Sequence, residues 1–153
     1  MSDAWKSGGD QWLPLLAAAE VKCRIPTDLL ARIAFQECSW RPGVILGVIP
    51  SSVGALGLMQ LMPQFYESVR VARPFTTEAT IAQIAEAAEF LASLWRRFND
   101  WQEAVAAYNW GAGNEHHSYV EHGSYILADM PPQTQSYVKN VFTDVPIQGA
   151  LLT

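Results

Sequence analysis

The sequence predicts a mainly α-helical domain, and three observations support that prediction. The chain has 153 residues, of which 50% are hydrophobic and only 16% are charged, so it can bury a sizeable core. Apolar residues recur with the 3.6-residue period of a helix, most clearly in "TEATIAQIAEAAEFLASLWRRF". Alternation with a period of two never persists long enough to build a sheet. We therefore expect residues 1–153 to form a single domain.

Capping residues and prolines set the limits of the first two predicted helices. We expect the first helix over about residues 11–23, with Asp10 as its N-cap and Pro14 in its first turn. The second is expected over residues 26–38, because a Pro-Thr pair is a good helix start.

The middle of the chain, between Arg41 and Glu67, has no charged residue. Proline, serine and glycine interrupt it, so we expect a loop and no stable membrane insertion. A short hairpin near residues 43–53 is the alternative to a plain loop. Short helices are expected around "ALGLMQLM" and in "PQFYESVRV".

The second half of the chain carries the clearest helical signals. The core face of the long amphipathic helix is predicted at the positions that keep the helical period, namely Ile81, Ile84, Ala85, Ala88, Leu91, Ala92 and Trp95. Asp100 and Glu103 resemble a capping box for the next helix, "WQEAVAAYN", which the glycine-containing stretch from Gly111 to Gly113 ends. A last helix is expected around "TQSYVKNVF".

Charge and cysteine content exclude several classes of protein. The net charge is −5 and no Lys/Arg cluster offsets it, so we expect no nucleic-acid partner. The cysteines, Cys23 and Cys38, would end successive helices too far apart for a disulfide, so free thiols are expected. No basic segment precedes the apolar "LPLLAAAEV", so no signal peptide is expected.

Glu37 is the side chain that most needs an explanation. It lies four residues after Ile33 and seven after Leu30, in the middle of the apolar arc of the second helix. A carboxylate taken out of water holds its proton more strongly and can deliver it to a leaving group. The alternatives are a solvated glutamate at a helix end or a pair with Arg41.

The segment after Glu37 contains no Asp or Glu as far as residue 66. No neighbour in the sequence therefore supplies the second carboxylate of an ordinary glycoside hydrolase. The polar and thioether side chains of this segment can bind a sugar but cannot activate water. They are Ser51, Ser52, Met59, Gln60 and Met62. If the protein cleaves a glycosidic bond, a mechanism with a single catalytic carboxylate is therefore implied.

Four sequence blocks occur in a fixed order: "ECSW", "SSVGALGLMQLMP", "AVAAYNWGAGN" and "TQSYVKNV". Their order and residues resemble the lytic transglycosylases with a lysozyme-like (goose-type) soluble lytic transglycosylase domain. The resemblance covers residues 25–141. It implies cleavage of the MurNAc-β-1,4-GlcNAc bond of peptidoglycan without water, leaving 1,6-anhydro ends.

The resemblance assigns roles to seven residues. Glu37 matches the family's single catalytic acid and base. The substrate-binding residues implied by the match are Ser51, Met59, Gln60, Tyr108, Asn109 and Tyr137. No metal and no cofactor are implied, and the expected partner is the peptidoglycan glycan strand, acted on by a monomer.

The chain also departs from the family pattern. The loop between Glu37 and Ser51 is several residues longer than usual, and Cys38 stands where serine is common. Trp110 and Ala112 replace a small residue and a proline. Gln133 occupies a position where glutamate is common, which removes a second carboxylate near the cleft.

Two other functions stay open on the sequence. One is a hydrolase resembling goose-type lysozyme, and the other is a non-catalytic wall-binding or virion module on the same scaffold. A bare domain is typical of a bacteriophage endolysin, kept in the host cytoplasm until a holin releases it to the wall, or of a virion-associated enzyme. The polar segment with His116, His117, Glu121 and His122 suggests either a metal site or a surface loop, and we favour the loop.

Overall fold

The computed structural model describes residues 3–111 and 130–143. Within these ranges the protein is built of helices and turns, which confirms the predicted mainly α fold. The α-helices of the described residues are α1 (Leu13–Cys23), α2 (Leu29–Cys38), α3 (Pro42–Ile45), α4 (Thr77–Phe98), α5 (Trp101–Trp110) and α6 (Pro132–Phe142). Short 3-10 turns cover Ala4–Lys6 and Glu67–Val69.

The chain forms two compact units, residues 1–89 and 90–153, and the boundary lies within α4. In the first unit α1 packs against α2, and in the second α5 packs against α6. The single domain expected over residues 1–153 stays a prediction.

Helix α1 begins at Leu13 and carries Pro14 in its first turn, as predicted. The predicted N-cap is wrong, because Trp12 occupies the N-cap position, and the Trp12 side chain makes no capping hydrogen bond. The buried face of α1 follows an i, i+4, i+8 spacing through Trp12, Leu16 and Glu20. A carboxylate therefore lies on the face that packs inward.

Helix α2 begins three residues later than predicted. Residues 26–28 form a turn instead, in which Asp28 has a φ of 69° that no continuing α-helix tolerates. From Leu29 onward the predicted apolar arc is buried, with Leu30 and Ile33 fully inaccessible.

The N-terminal segment packs against the end of α2. The indole N–H of Trp40 donates to the carbonyl oxygen of Trp5 at 2.6 Å, and the Phe35 ring lies about 6 Å from both indoles. The Arg32 guanidinium lies over the Trp5 ring, 4.8 Å from its centroid. Gly9 lies so close to the Trp40 ring that a Cβ there would be 2.6 Å from the ring. These contacts fix the chain where it leaves α2.

The middle segment corrects several predictions. The helix expected in "ALGLMQLM" is absent: Leu56 and Leu61 pair in an isolated antiparallel bridge around a turn. Gly57 and Gln60 have φ values of 83° and 52°, which exclude a helix. Only the 3-10 turn Glu67–Val69 forms in "PQFYESVRV". Near residues 43–53 the hairpin alternative is wrong, and the plain loop follows α3.

Helix α4 has the predicted length, but its buried face is rotated from the predicted one. Ile84, Ala88, Leu91 and Ala92 are buried as expected. The predicted core residues Ile81, Ala85 and Trp95 are exposed, and the buried positions that replace them include Thr80, Gln83 and Ala87. The buried face is rotated because Gln83 and Glu86 of α4 form hydrogen bonds to Ser68, which lies in the short 3-10 turn Glu67–Val69. The hydrophobic periodicity of α4 does not report such contacts.

Both cysteines are free thiols, as predicted. Across the part of the chain that the structure describes, no helix has the length and apolar character needed to cross a membrane.

At the start of α5 the Asp100 half of the predicted capping box is confirmed. The Asp100 carboxylate accepts a hydrogen bond from the backbone N–H of Glu103 at 3.0 Å. The helix then runs to Trp110 and ends at Gly111, whose φ is 101°. A capped start fixes where the turns of α5 lie, and hence where Tyr108 and Asn109 project.

We predict that Asp100→Ala lowers the free energy of unfolding by about 1 kcal/mol, because an N–H of the first turn of α5 loses its acceptor. Asp100→Asn is the matched control, since asparagine is an equally good N-cap and should retain most of the stability. Urea denaturation of the three proteins measures the difference. Equal losses in both variants would show that the cap contributes nothing.

Candidate active site

Glu37 lies in the last turn of α2, one residue before the end of the helix. Its side chain is half-buried, so it is neither fully solvated nor sealed in the core. The neighbouring turn of the same helix presents Ile33 and Ala34, which are fully buried. Glu37 therefore follows a buried apolar face of α2 and itself keeps partial access to solvent.

The chain after Glu37 turns sharply. Ser39 and Trp40 have φ values of 50° and 55°, so two successive residues are left-handed. The backbone N–H of Trp40 donates to the Cys38 sulfur at 3.3 Å, and the Arg41 Nε donates to the Cys38 carbonyl oxygen at 3.3 Å. Burial raises the pKa of the Cys38 thiol to about 11, with the Glu37 carboxylate adding to the increase. Cys38 is therefore an unreactive packing residue.

The start of α2 depends on a residue that sequence reasoning missed. Glu20 of α1 is only 2% exposed, and its carboxylate accepts hydrogen bonds from the backbone N–H groups of Asp28 (3.0 Å) and Ala31 (3.1 Å). Asp28 itself makes no side-chain cap. Burial raises the pKa of Glu20 above its ordinary value, although these hydrogen bonds oppose the increase. The spacing in the sequence could have indicated this role, because Glu20 lies four residues after Leu16 and therefore on the same buried face of α1.

Ser51 begins a compact loop in the first unit. Its hydroxyl oxygen accepts hydrogen bonds from the backbone N–H groups of Ala55 (2.9 Å) and Val53 (3.3 Å). Its own N–H donates to the Ala55 carbonyl oxygen at 3.0 Å. The Ser51 hydroxyl thus stabilises the loop with its lone pairs, and its proton is the part that can serve a ligand.

The turn after this loop carries the other two predicted binding residues of the first unit. Gln60 is half-buried, and both its backbone N–H (3.2 Å) and its side-chain Nε2 (2.9 Å) donate to the Gly57 carbonyl oxygen. Met59 is fully buried, with 0% exposure. A direct contact between Met59 and a ligand would therefore require neighbouring groups to move, whereas Gln60 is accessible as it stands.

Two glycines allow the loops of this region to approach one ring. Phe75 is buried, and its backbone N–H donates to the Leu46 carbonyl oxygen at 2.9 Å. A Cβ on Gly47 would collide with the Phe75 ring, and a Cβ on Gly57 would lie 3.4 Å from it. The long loop after α3 and the turn with Gln60 therefore share one apolar support.

The second unit holds the remaining predicted residues on two packed helices. Tyr108 of α5 is half-buried, and its ring lies 5.5 Å from that of Phe90. The Asn109 Oδ1 accepts a hydrogen bond from the hydroxyl of Thr134 in α6 at 2.9 Å. Thr134 and Tyr137 are both buried. Thr134 is a second residue that sequence reasoning missed, since nothing in the sequence pairs it with Asn109.

The predicted site residues are divided between the units. Glu37, Ser51, Met59 and Gln60 belong to the first unit. Tyr108, Asn109 and Tyr137 belong to the second, on the two helices α5 and α6 that pack against each other.

The histidine-rich segment of residues 116–122, considered above as a metal site or a surface loop, lies outside the described residues. Among residues 3–111 and 130–143 no group of three His, Cys, Asp or Glu side chains could bind a metal ion.

Comparisons with known proteins agree with the resemblance found in the motifs. Residues 14–125 match the model of the transglycosylase SLT domain, and because the match covers more than half of the chain, the protein belongs to that family. The matched range includes Glu37, Gln60 and Tyr108, and Tyr137 lies beyond it.

The chain is also similar to a protein named "Transglycosylase" of Enterobacteria phage PRD1, with 32% identity over 113 residues. That alignment covers 69% of this chain and 40% of the relative, so the chain spans less than half of the relative's length. No solved structure matches the chain significantly.

The raised pKa of Glu20 predicts a specific dependence of stability on pH. Between the ordinary value of 4.5 and the higher folded-state value, the folded protein keeps a proton that the unfolded chain has lost. This contribution to stability is complete below about pH 4.5. It disappears as the pH rises through the folded-state pKa.

We therefore expect the free energy of unfolding of the wild type to fall with rising pH in this window, relative to Glu20→Gln. Urea denaturation of both proteins at a series of pH values measures the difference. Glu78→Gln, which replaces an exposed glutamate at the start of α4, is the control for loss of a carboxylate as such. Parallel profiles for the wild type and Glu20→Gln would contradict the prediction.

Proposed function

We propose that this protein is a peptidoglycan lytic transglycosylase that cleaves the bond between N-acetylmuramic acid and N-acetylglucosamine and leaves 1,6-anhydro ends. The observation that supports this most directly is Glu37, a half-buried carboxylate at the end of a helix within the range that matches the transglycosylase SLT domain. The acid-free stretch from residue 38 to residue 66 supports a mechanism with one carboxylate.

In the first half of the reaction Glu37 acts as an acid. Its carboxyl proton passes to the glycosidic oxygen as the bond from that oxygen to C1 of the muramic residue breaks. The 2-acetamido group of the sugar assists by stabilising the positive charge that develops at C1.

In the second half the same carboxylate acts as a base. It takes the proton from the C6 hydroxyl of the muramic residue while that oxygen forms a bond to C1. One bond to C1 has broken, one has formed, and the proton has returned to Glu37. No water is consumed, so the reaction needs no second carboxylate to activate one.

The remaining predicted residues are proposed to bind the glycan. In the first unit Gln60 has a fixed and accessible carboxamide, and the Ser51 hydroxyl keeps a proton to donate. In the second unit Asn109 is oriented by Thr134, and Tyr108 packs beside Phe90. Amide and hydroxyl groups next to aromatic rings suit the polar edges and apolar faces of sugars.

The phage relative favours a role in degrading the bacterial wall during infection. We propose that the protein reaches peptidoglycan either after release from the host cytoplasm or as part of the virion, and that it acts as a monomer. Its net charge of −5 argues against nucleic acid as the partner.

We predict that Glu37→Gln abolishes cleavage while the variant still binds the wall, because glutamine has nearly the same shape but no acidic proton. Purified sacculi are digested with each protein, and the muropeptides are analysed by mass spectrometry. The wild type should release products with 1,6-anhydro ends. Glu67→Gln, which alters an exposed carboxylate, should cleave like the wild type.

The products separate the alternatives. Reducing ends from the wild type would show a hydrolase of the goose-type lysozyme kind. An absence of products, with retained binding, would show a non-catalytic wall-binding module. Full activity of Glu37→Gln would refute the assignment of the acid.

A further inference from the structure

One side chain of α4 contacts both ends of the segment that carries Gln60. Gln83 is 0% exposed, and its Nε2 donates to the Ser68 carbonyl oxygen at 3.4 Å. Its Oε1 lies against Gly57, so closely that a Cβ at Gly57 would collide with it. We refer to residues 57–68 as the turn segment. Gln83 thus contacts the first residue of the turn segment, Gly57, and its last residue, Ser68.

The orientation of the Gln83 carboxamide is determined by these neighbours. A flipped amide would bring its oxygen against the Ser68 carbonyl oxygen, and two acceptors repel. The oxygen therefore faces Gly57, and no donor among residues 3–111 and 130–143 pairs with it. A buried acceptor without a donor is unfavourable, and an apolar side chain of the same length would avoid that cost. The presence of glutamine here needs a reason other than packing.

The Gly57 backbone fixes the position of Gln60. The Gly57 carbonyl oxygen accepts both the backbone N–H and the side-chain amide of Gln60. Gly57 has a φ of 83°, which only glycine adopts readily, so the turn depends on a residue without a side chain at this point. A group that limits the movement of Gly57 therefore limits the movement of the Gln60 carboxamide.

The other end of the turn segment is attached to the same face of α4. Glu86 lies three residues after Gln83, and its carboxylate accepts a hydrogen bond from the Ser68 hydroxyl at 2.7 Å. Ser68 is thereby bonded to α4 through its carbonyl oxygen and its hydroxyl. Because Ser68 is held in place, the Gln83 amide that donates to it is held as well. The Gln83 Oε1 then limits how closely the Gly57 backbone can approach α4.

We propose that Gln83 is a positioning residue that sets the geometry of the turn segment, and so orients Gln60 for glycan binding. The proposal rests on the proposed function, since it takes Gln60 to be a glycan-binding residue. On this proposal Gln83 affects the affinity for the glycan, whereas a residue that only packs in the core would affect stability alone.

The binding test uses the inactive Glu37→Gln protein, so that the glycan survives the measurement. The probe is soluble glycan strands prepared by removing the stem peptides from purified peptidoglycan. Gln83→Met removes the hydrogen bond to Ser68 and the oxygen that lies against Gly57, at nearly constant length. We expect the dissociation constant to rise about fivefold, the change that corresponds to one lost hydrogen bond. In the otherwise wild-type protein the half-saturating substrate concentration should rise more than kcat falls.

Ile84→Val is the matched control. Ile84 is the next residue of α4 and is buried. Its side chain is apolar, so it cannot form the hydrogen bond that Gln83 makes to the turn segment. The control should lower thermal stability and leave glycan affinity unchanged. Equal losses of affinity in Gln83→Met and Ile84→Val would overturn the proposal, because they would reflect stability alone.

Amide hydrogen exchange tests the geometry without any glycan. Exchange at residues 57–61 should accelerate in Gln83→Met and not in Ile84→Val. A double-mutant cycle measures the thermal stability of Gly57→Ala, Gln83→Ala and the double variant. The two losses of stability should not add, since removal of the Gln83 amide relieves its collision with the Cβ of an alanine at position 57. An additive cycle with unchanged exchange would overturn the proposal.

The two hypotheses fail in different ways. If the Glu37→Gln protein binds no glycan strands, the proposed function fails, and the exchange and cycle data still decide whether Gln83 sets the geometry of the turn. If exchange accelerates in Gln83→Met while glycan affinity is unchanged, the proposed function stands and the positioning role of Gln83 is refuted.

Discussion

The contact between Glu20 and the start of α2 is the constraint on which the first unit depends. The first N–H groups of a helix have no partner within the helix, and Asp28 supplies no side-chain cap. The buried carboxylate of Glu20 in α1 supplies the missing acceptor. This fixes the position of α2 along α1, and a helix of this length is stiff. From Leu29 the helix rises about 12 Å to Glu37. A shift of the start of α2 would therefore displace the Glu37 carboxylate.

The other end of α2 is fixed by apolar and aromatic contacts instead. Trp40 donates to the backbone of Trp5, the Phe35 ring lies about 6 Å from each indole, and Gly9 permits close approach to the Trp40 ring. A polar contact at one end and aromatic contacts at the other leave α2 little freedom to shift. The acid role proposed for Glu37 would need such rigidity, because proton transfer depends on small distances between the acid and the leaving oxygen.

Local signals in the sequence predicted most of the helices, and non-local contacts account for the errors. The bounds of α4, the Asp100 cap and the placement of Glu37 near a helix end all follow from spacing and capping chemistry. The turn at residues 56–61 could not be predicted, because the left-handed Gln60 depends on hydrogen bonds to Gly57. The exposed side of α4 was misassigned for a related reason. Gln83 is buried by contacts with residues far away in the sequence, which hydrophobic periodicity cannot report.

A common principle links the residues that sequence reasoning missed. Glu20, Gln83 and Thr134 are all polar, all buried, and each joins a helix to a different element that carries a predicted site residue. Apolar packing is tolerant of small shifts because it has no preferred direction. Hydrogen bonds have both a distance and a direction, so they can specify where a neighbouring element lies. A polar residue on an otherwise apolar helix face is therefore best interpreted as a positional constraint. Glu37 differs from these three because it is only half-buried, as the acid role proposed for it requires.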